Sequence, residues 1–381
     1  MTDLPLDGLV VLEFSQYLSG PSAGLRLADL GARVIKIERP VTGDAGRKLA
    51  IKNLWVDDSS LLFHTINRNK ESLAADLKDA GDLELIKKLI TKADVVIHNF
   101  RPGVMKKTGL DYDSVKAINP RLIYAEISGY GKEGVWKNKP GQDLLLQSIT
   151  GLAYTTGNGN NGPVPFGIAM ADILSGSQLV QGIIAALIRR QKKGVGALIE
   201  ISLMESLLDF QFELFTTYYA SNQQPERSYS NNGHSLLGAP YGIYKTADGY
   251  IALAMMDIQV MAKAIHCKPL VEFSNEETFA NRDEIKAILA KHLSFQPTQY
   301  WLTRLQEEGL WAMEIFDWEK MMEHGAYQCL QMEQKLNAGE KEIITTRCPI
   351  RINGTRLYSN KPAPKLGEHT EKVIREIVNG E

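Results

Sequence analysis

Residues 166–180, FGIAMADILSGSQLV, form an apolar run broken by a single charge, Asp172. A carboxylate in apolar surroundings is costly unless it is hydrogen-bonded or used. One use is nucleophilic attack on an activated acyl group, which gives a mixed anhydride. A carboxylate needs no partner base for this, because it is already ionised near neutral pH. The structural alternative is a helix N-cap, since ILSGSQLVQGIIAAL follows directly. Residue statistics alone favour capping. A second carboxylate stands in PGQDLLLQ, where Gln142 and Asp143 open another apolar stretch. Asp143 reads either as an N-cap or as a partner for Asp172. Two adjacent carboxylates drive their pKa values apart and divide acid and nucleophile roles.

Other polar groups cluster at the ends of apolar runs. LEFSQYLSGPSAG carries glycines that open a helix, so its backbone N–H groups suit a phosphate or an oxyanion. It contains neither GxGxxG nor GxxxxGK. Arg39, Lys78 and the stretch from Asn99 to Lys107, NFRPGVMKK, supply cations suited to a phosphorylated cofactor. Taken singly, each reads as solvated surface charge. His234 in NNGHSLLGAPY reads as a loop histidine. No HExxH pair occurs, so no structural metal is expected.

These residues need a scaffold that brings them together. GLVVLEF, GPSAGLRLADLG and ARVIKIERP read as strand, helix and strand, a βαβ unit that implies a parallel sheet. DLELIKKLITKA with DVVIHNF, and DYDSVKAINP with RLIYAEISGYG, continue the alternation of a doubly wound α/β domain. SGSQLVQGIIAALIRRQKKG is a long helix with basic residues at its C-terminal end. ALIEISL is a strand, and MESLLDFQFELFTTYYAS reads as one helix. NQQPERSYSNNGHS is turn-rich and reads as a linker. APYGIYKTADGYIALAM is a hairpin around TADG, followed by the helices RDEIKAILAKHLS and PTQYWLTRLQEEG. The expected division is a large domain over 1–200, a connecting segment over 201–225, a small domain over 226–330, and a return to the large domain over 331–381.

The 381 residues are 44% hydrophobic, enough for a large core, with a formal net charge of −2. That balance argues against nucleic acid or an anionic membrane as partner. Cys267, Cys329 and Cys348 are odd in number and form no CxxC, which points to a reducing, cytoplasmic setting without disulfides. MTDLPLDG has neither a basic n-region nor an apolar h-region, so no signal peptide is expected. No apolar run reaches the ~20 residues of a membrane span, and LVQGIIAALI reads as a buried helix.

Taken in order, LPLDGLVVLEFSQYLSGP, LGARVIKIERP, GDAGR, NRNKESLAADLK, ADVVIHNFRPGVMKKTGL, INPRLIYAEISGYG, PGQDLLLQ, GIAMADILSG and PAPKLGEHTEKV resemble the blocks of the family III CoA-transferases. That group includes formyl-CoA transferase, the carnitine CoA-transferases and α-methylacyl-CoA racemase. The resemblance implies an α/β fold. A Rossmann-like large domain is built from both chain ends, a smaller α+β domain is added, and two ring-shaped subunits interlock as a homodimer. It places the nucleophilic aspartate at Asp172. It places coenzyme A, entering as acyl-CoA, on Arg39, Lys78, Asn99, Phe100 and Lys107, with backbone or apolar contacts from Ala75 and Val104. The other substrate is a carboxylic acid. The turn near Gln16 becomes a candidate oxyanion site, while Leu18 stands where some relatives carry glutamine. The implied reaction is a double displacement through an aspartyl anhydride and an aspartyl-CoA thioester.

Departures from the family pattern narrow the substrate. The tetraglycine loop of formyl-CoA transferase is missing between SNNGHSLLGAPY and ALAMMDIQV, and Leu49 replaces an aromatic of its oxalate pocket. Gln142 stands where relatives have tyrosine and the racemase branch has a basic histidine. A glutamine side chain cannot take up a proton, so transfer ranks above racemisation. GLWAMEIFDWEKM replaces GVPxGPV, offering Trp311 and Trp318 as aromatic pocket walls. A CoA-binding protein without activity is a third reading, and the retained Asp172 argues against it.

Overall fold

The computed structural model describes residues 4–380. Six strands, β1 (Val10–Glu13), β2 (Arg33–Glu38), β3 (Glu71–Ala74), β4 (Val95–His98), β5 (Ile123–Ser128) and β6 (Ala197–Ser202), pair in parallel in the order β3-β2-β1-β4-β5-β6. The order reverses between β1 and β4. In such a sheet the crevice beyond the carboxyl ends of those two strands is the place for a ligand. Parallel strands covered on both faces read as unbroken apolar runs, and β4 is buried along its whole length.

Helices α1 (Ser19–Asp29), α2 (Leu61–Asn67), α3 (Ala80–Lys92), α4 (Val104–Lys107), α5 (Tyr112–Ile118), α6 (Asp143–Ile149), α7 (Met170–Lys193) and α8 (Leu203–Phe210) accompany the strands. Leu12, Ile35, Leu73 and Val96 of the sheet pack with Ile86, Leu89 and Ile90 of α3 and Val115 of α5. Val373, near the C-terminus, completes that cluster. Backbone bonds tie the return in place, with the His369 N–H donating to the Ser72 carbonyl at 2.9 Å. Helix α7 packs on α1, β5 and β6. Its most apolar 18-residue window has a mean hydropathy of 1.5, enough by length and composition for a membrane span, which departs from the expectation that no segment approaches one. Its buried positions, among them Ser175, Gly176, Leu179 and Ile183, meet neighbouring elements of the sheet domain.

The chain divides into two units. The first holds the residues up to Leu146, Ala169–Leu208 and the stretch from Gln331 onward. The second holds Gln147–Ile168 and Asp209–Leu330. Two expected boundaries change. Residues 147–168, expected within 1–200, belong with the second unit. Arg227 Nη1 donates to the Thr156 carbonyl at 2.6 Å, Gly159 N–H donates to the Ser228 carbonyl at 2.7 Å, and Asn232 bonds Asn158 and the Gly157 carbonyl. The segment 201–225 is not one connector. Helix α8 ends at Phe210, and a separate α9 (Phe212–Ser221) follows.

Within the second unit, β7 (Gly242–Lys245), β8 (Tyr250–Leu253) and β9 (Ala312–Glu314) form an antiparallel sheet in the order β9-β8-β7. Helices α10 (Ile258–Ala264), α11 (Arg282–Leu293) and α12 (Thr298–Glu307) pack around Tyr244, Ile251, Ile285 and Trp301. The hairpin β10 (Glu333–Ala338) and β11 (Lys341–Thr346) belongs to the first unit, and its turn uses Gly339 at φ 60°.

Candidate active site

Asp172 is the third residue of α7, not its cap. The residue in the cap position is Ala169, whose methyl side chain makes no cap bond. Asp143, at the first position of α6, does that work from another element. Its Oδ2 accepts from the Asp172 backbone N–H at 3.1 Å. This satisfies one of the orphan donors at the start of a 24-residue helix. The capping reading therefore passes from Asp172 to Asp143, and the Asp172 side chain is left half-buried. Burial first, and then the Asp143 charge, push its carboxyl from an ordinary 3.8 up to about 6, while the Ser19 hydroxyl pulls in the other direction.

Helix contact sets this meeting. Gly176 follows Asp172 by one turn, and a Cβ there would lie 2.3 Å from Ser22 Oγ and 2.7 Å from the Ser19 carbonyl. The glycine lets α7 cross α1 closely. Side chains lean toward a helix's N-terminus, so Asp172 projects over the start of α1.

The turn before α1 is held rigidly. Asn99, just past β4, accepts the Gln16 N–H at 2.8 Å and donates to the Gln16 carbonyl at 2.7 Å and to Ser19 Oγ at 3.1 Å. Tyr17 sits at φ 64°, a left-handed conformation that is strained for an aromatic residue. Asp44 Oδ1 accepts the Tyr17 N–H at 3.1 Å. Both the Gln16 and Tyr17 N–H groups are thus committed, which bars them as oxyanion donors. Leu18, Ser19 and Gly20 open α1, where backbone N–H groups have no intrahelical acceptor.

A buried ionic cluster lies behind this turn. Lys36 Nζ bonds Glu13 Oε1 at 2.9 Å, Asp44 Oδ2 at 2.8 Å and the Ser15 carbonyl at 2.8 Å. Glu13 and Lys36 are direct neighbours in the β1–β2 register. Lys70 Nζ approaches Glu13 Oε2 at 2.8 Å and donates to the Pro21 carbonyl. Burial pushes Lys70 down to about 8, with Glu13 opposing and Lys36 adding to the effect.

A cleft of ≈ 760 Å³ in the first unit is lined by residues 16–19 and 99–102, by Lys137 and residues 139–143, and by Asp172. Gln16, Asn99, Phe100, Gln142, Asp143 and Asp172 therefore share one site. The Gln142 backbone carbonyl accepts the Leu145 and Leu146 N–H groups of α6. Phe100 stacks on His98 at 6.0 Å between ring centroids. Arg39, Ala75, Lys78, Val104 and Lys107 lie outside that lining. Arg39 follows β2, Ala75 and Lys78 follow β3, and Val104 and Lys107 sit on α4 after β4, all at the carboxyl edge of the sheet. Ala75 is buried and its N–H bonds the Glu38 carbonyl, while the other four are exposed.

Ser19, Lys137 and Lys139 escaped the sequence reading. Ser19 was hidden in a motif read for its glycines. The two lysines belong to KEGVWKNKPG, which carries no motif of its own. Contact between the Gly129 and Gly141 backbones folds that loop back to the cleft. In the second unit, His234 pairs with Glu213 at 3.0 Å and accepts the Leu236 N–H, so it is a satisfied loop histidine. Trp311 and Trp318 are exposed. Among the described residues no group of three His, Cys, Asp or Glu side chains could hold a metal.

This arrangement can attack an acyl carbon, with a partly desolvated carboxylate in a cation-lined cleft. The sequence matches CoA-transferase family III over residues 6–370. A succinate–glutarate CoA-transferase of Agrobacterium fabrum is 32% identical over 394 residues, covering 99% of this chain and 98% of its own. An acetyl-CoA:oxalate CoA-transferase of Acetobacter aceti is 33% identical over 385 residues, covering 98% and 96%. The crystal structure of a CaiB/BaiF family protein from Brucella suis superposes with a TM-score of 0.84 at 32% identity, covering 98% of this chain and 99% of that one. With its fold, its cleft and these relatives in agreement, the chain belongs to CoA-transferase family III and is a CoA-transferase.

Proposed function

We propose that the protein moves CoA from an acyl-CoA to a carboxylic acid through covalent intermediates on Asp172. A desolvated carboxylate, set against Asp143 in the cleft, is the observation that carries this reading. One Asp172 oxygen attacks the donor thioester carbonyl and CoA leaves as thiolate, giving an aspartyl–acyl anhydride. The thiolate then attacks the aspartyl carbonyl, the donor acid leaves as carboxylate, and an aspartyl-CoA thioester remains. The acceptor carboxylate attacks that carbonyl and expels the thiolate. Finally the thiolate attacks the acceptor acyl carbon, releasing the new acyl-CoA and the free Asp172 carboxylate. One thioester is exchanged for another, so no ATP is consumed. The N–H groups of Ser19 and Gly20 at the start of α1 are the proposed oxyanion donors for the donor acyl group.

Arg101, Lys137 and Lys139 give the cleft an anionic preference. The relatives are named for succinate, glutarate and oxalate, so a short dicarboxylate is the acceptor class. The relatives are named for transfer, and Gln142 offers no second base, so transfer is preferred over α-proton exchange. A panel of acyl-CoA donors against dicarboxylate and monocarboxylate acceptors tests this. Turnover with dicarboxylates is expected; α-deuterium exchange without any acceptor, and no transfer, would overturn it.

Arg39 and Lys107 are assigned to the CoA phosphates and Lys78 to the same ligand, with Ala75 and Val104 as flanking contacts. Arg39→Ala and Lys107→Ala are expected to raise KM for acyl-CoA several-fold with kcat within about twofold, the pattern of lost ground-state binding. A large fall in kcat at constant KM would refute the assignment. The active form is proposed to be a cytoplasmic homodimer. Light scattering should then read twice the 42.4 kDa chain mass, and the single-chain mass would contradict it.

A further inference from the structure

We infer that the Ser19 hydroxyl is a catalytic hydrogen-bond donor to the Asp172 carboxyl group, and that Asn99 is the positioning residue that aims it. This inference rests on the nucleophile assignment above and adds a donor on the aspartyl side of the reaction.

The direction of each hydrogen bond follows from donor counting. Asn99 meets the Gln16 N–H, and only its Oδ1 can accept it. That fixes the amide orientation and places Nδ2 against the Gln16 carbonyl and Ser19 Oγ. Both Nδ2 hydrogens are then committed, and Ser19 Oγ is an acceptor from Asn99. A hydroxyl that accepts there sends its own hydrogen elsewhere. Ser19 is 4% exposed, so bulk water is not the recipient. Ser19 and Asp172 line the same cleft, and the Ser19 hydroxyl favours the ionised form of the Asp172 carboxyl. Gly176 holds the two elements together, since its Cα side faces the Ser19 carbonyl.

The chemistry gives this bond two functions. In the resting enzyme it orients the carboxylate and leaves the second oxygen to attack. In the two central steps, attack on the aspartyl carbonyl first by CoA thiolate and later by the acceptor carboxylate puts negative charge on the aspartyl oxygen. The same hydroxyl then donates to that oxyanion. Collapse expels the donor carboxylate in the first case and CoA thiolate in the second, and the hydroxyl keeps its proton throughout. A donor whose acceptor gains charge in the transition state raises kcat rather than lowering KM.

The test compares Ser19→Ala, Ser19→Thr and Asp172→Ala with wild type in steady-state transfer over pH 5–9, each checked by thermal unfolding. Ser19→Ala should lose about 10²-fold in kcat, in the range for one oxyanion donor, with KM for acyl-CoA within about twofold. Its acid limb should move to higher pH, because the bond that favours ionised Asp172 is gone. Ser19→Thr, which keeps the hydroxyl, should recover most of the rate. A Ser19→Ala kcat within about threefold of wild type, or an acid limb that does not move, would overturn the inference. Asp172→Ala separates the two claims. If it is inactive while Ser19→Ala is normal, only the Ser19 role fails; if Asp172→Ala still transfers CoA, the nucleophile assignment itself fails.

Discussion

Asp172→Asn is expected to abolish CoA transfer and at the same time to raise the melting temperature of the protein. The loss of activity follows from chemistry, since an amide forms neither the anhydride nor the aspartyl thioester. The gain in stability follows from electrostatics. Holding the carboxyl at about 6 rather than 3.8 costs the folded state roughly 3 kcal/mol above pH 6. The sign is that of a carboxyl whose folded pKa is raised: the folded state is penalised once the group ionises, and the penalty fades as pH falls through about 6. Asparagine removes the charge facing Asp143 and keeps the volume. The stabilisation should therefore appear at pH 8 and shrink at pH 5. Wild-type transfer should fall with decreasing pH through the same region, as the nucleophile takes up a proton. Transfer by Asp172→Asn at a near-normal rate would contradict the assignment, and a lowered melting temperature at pH 8 would contradict the electrostatic account.

Lys36→Met is expected to produce the largest loss of stability. Lys36 is fully buried and bonds two carboxylates and a carbonyl. Burial pulls its pKa down, but Glu13, Asp44 and Glu38 outweigh that and hold it above its ordinary value. Methionine fits the volume and leaves Glu13 and Asp44 with too little positive charge nearby. Breaking one partner out of a buried pair typically costs about 3–5 kcal/mol. For a unit of this size that is a drop on the order of 10 °C in melting temperature. Transfer should also weaken, because the Ser15 carbonyl and Asp44 fix the strained turn at Tyr17. The deficit should be smaller at pH 5, where the abandoned carboxylates can take up protons. A melting temperature within about 2 °C of wild type at pH 7 would show that the cluster does not hold the unit together.

The sheet was legible because a parallel strand covered on both faces leaves an apolar run in the sequence, as in DVVIHNF. Helices α11 and α12 and the β7–β8 hairpin were legible from periodicity and turn residues. The β10–β11 hairpin was not read, since its inward residues Leu336 and Ile343 alternate with charged ones over a short span. Nothing in the local sequence singles out Lys36 in ARVIKIERP or Glu13 in VVLEF, yet each is buried because the register sets it against the other. Asp172 looked like a cap because the residue that caps it, Asp143, lies 29 positions earlier. Local reading sees neither partner. Residues 147–168 were assigned to the large domain for the same reason, because Arg227 and Asn232, which hold them, come some 70 residues later. The candidate residues were legible as separate motifs, but the convergence of Gln16, Asn99, Phe100, Gln142, Asp143 and Asp172 on one cleft was not.

The central claim, a covalent acyl exchange on Asp172, is tested most directly by intact-protein mass spectrometry. Wild type and Asp172→Asn would be mixed with acyl-CoA donors and analysed with and without hydroxylamine. The account predicts an acyl-sized or CoA-sized adduct on wild type only, removed by hydroxylamine and mapped to the peptide that carries Asp172. An equal adduct on Asp172→Asn, or brisk transfer by an enzyme that never carries one, would contradict it.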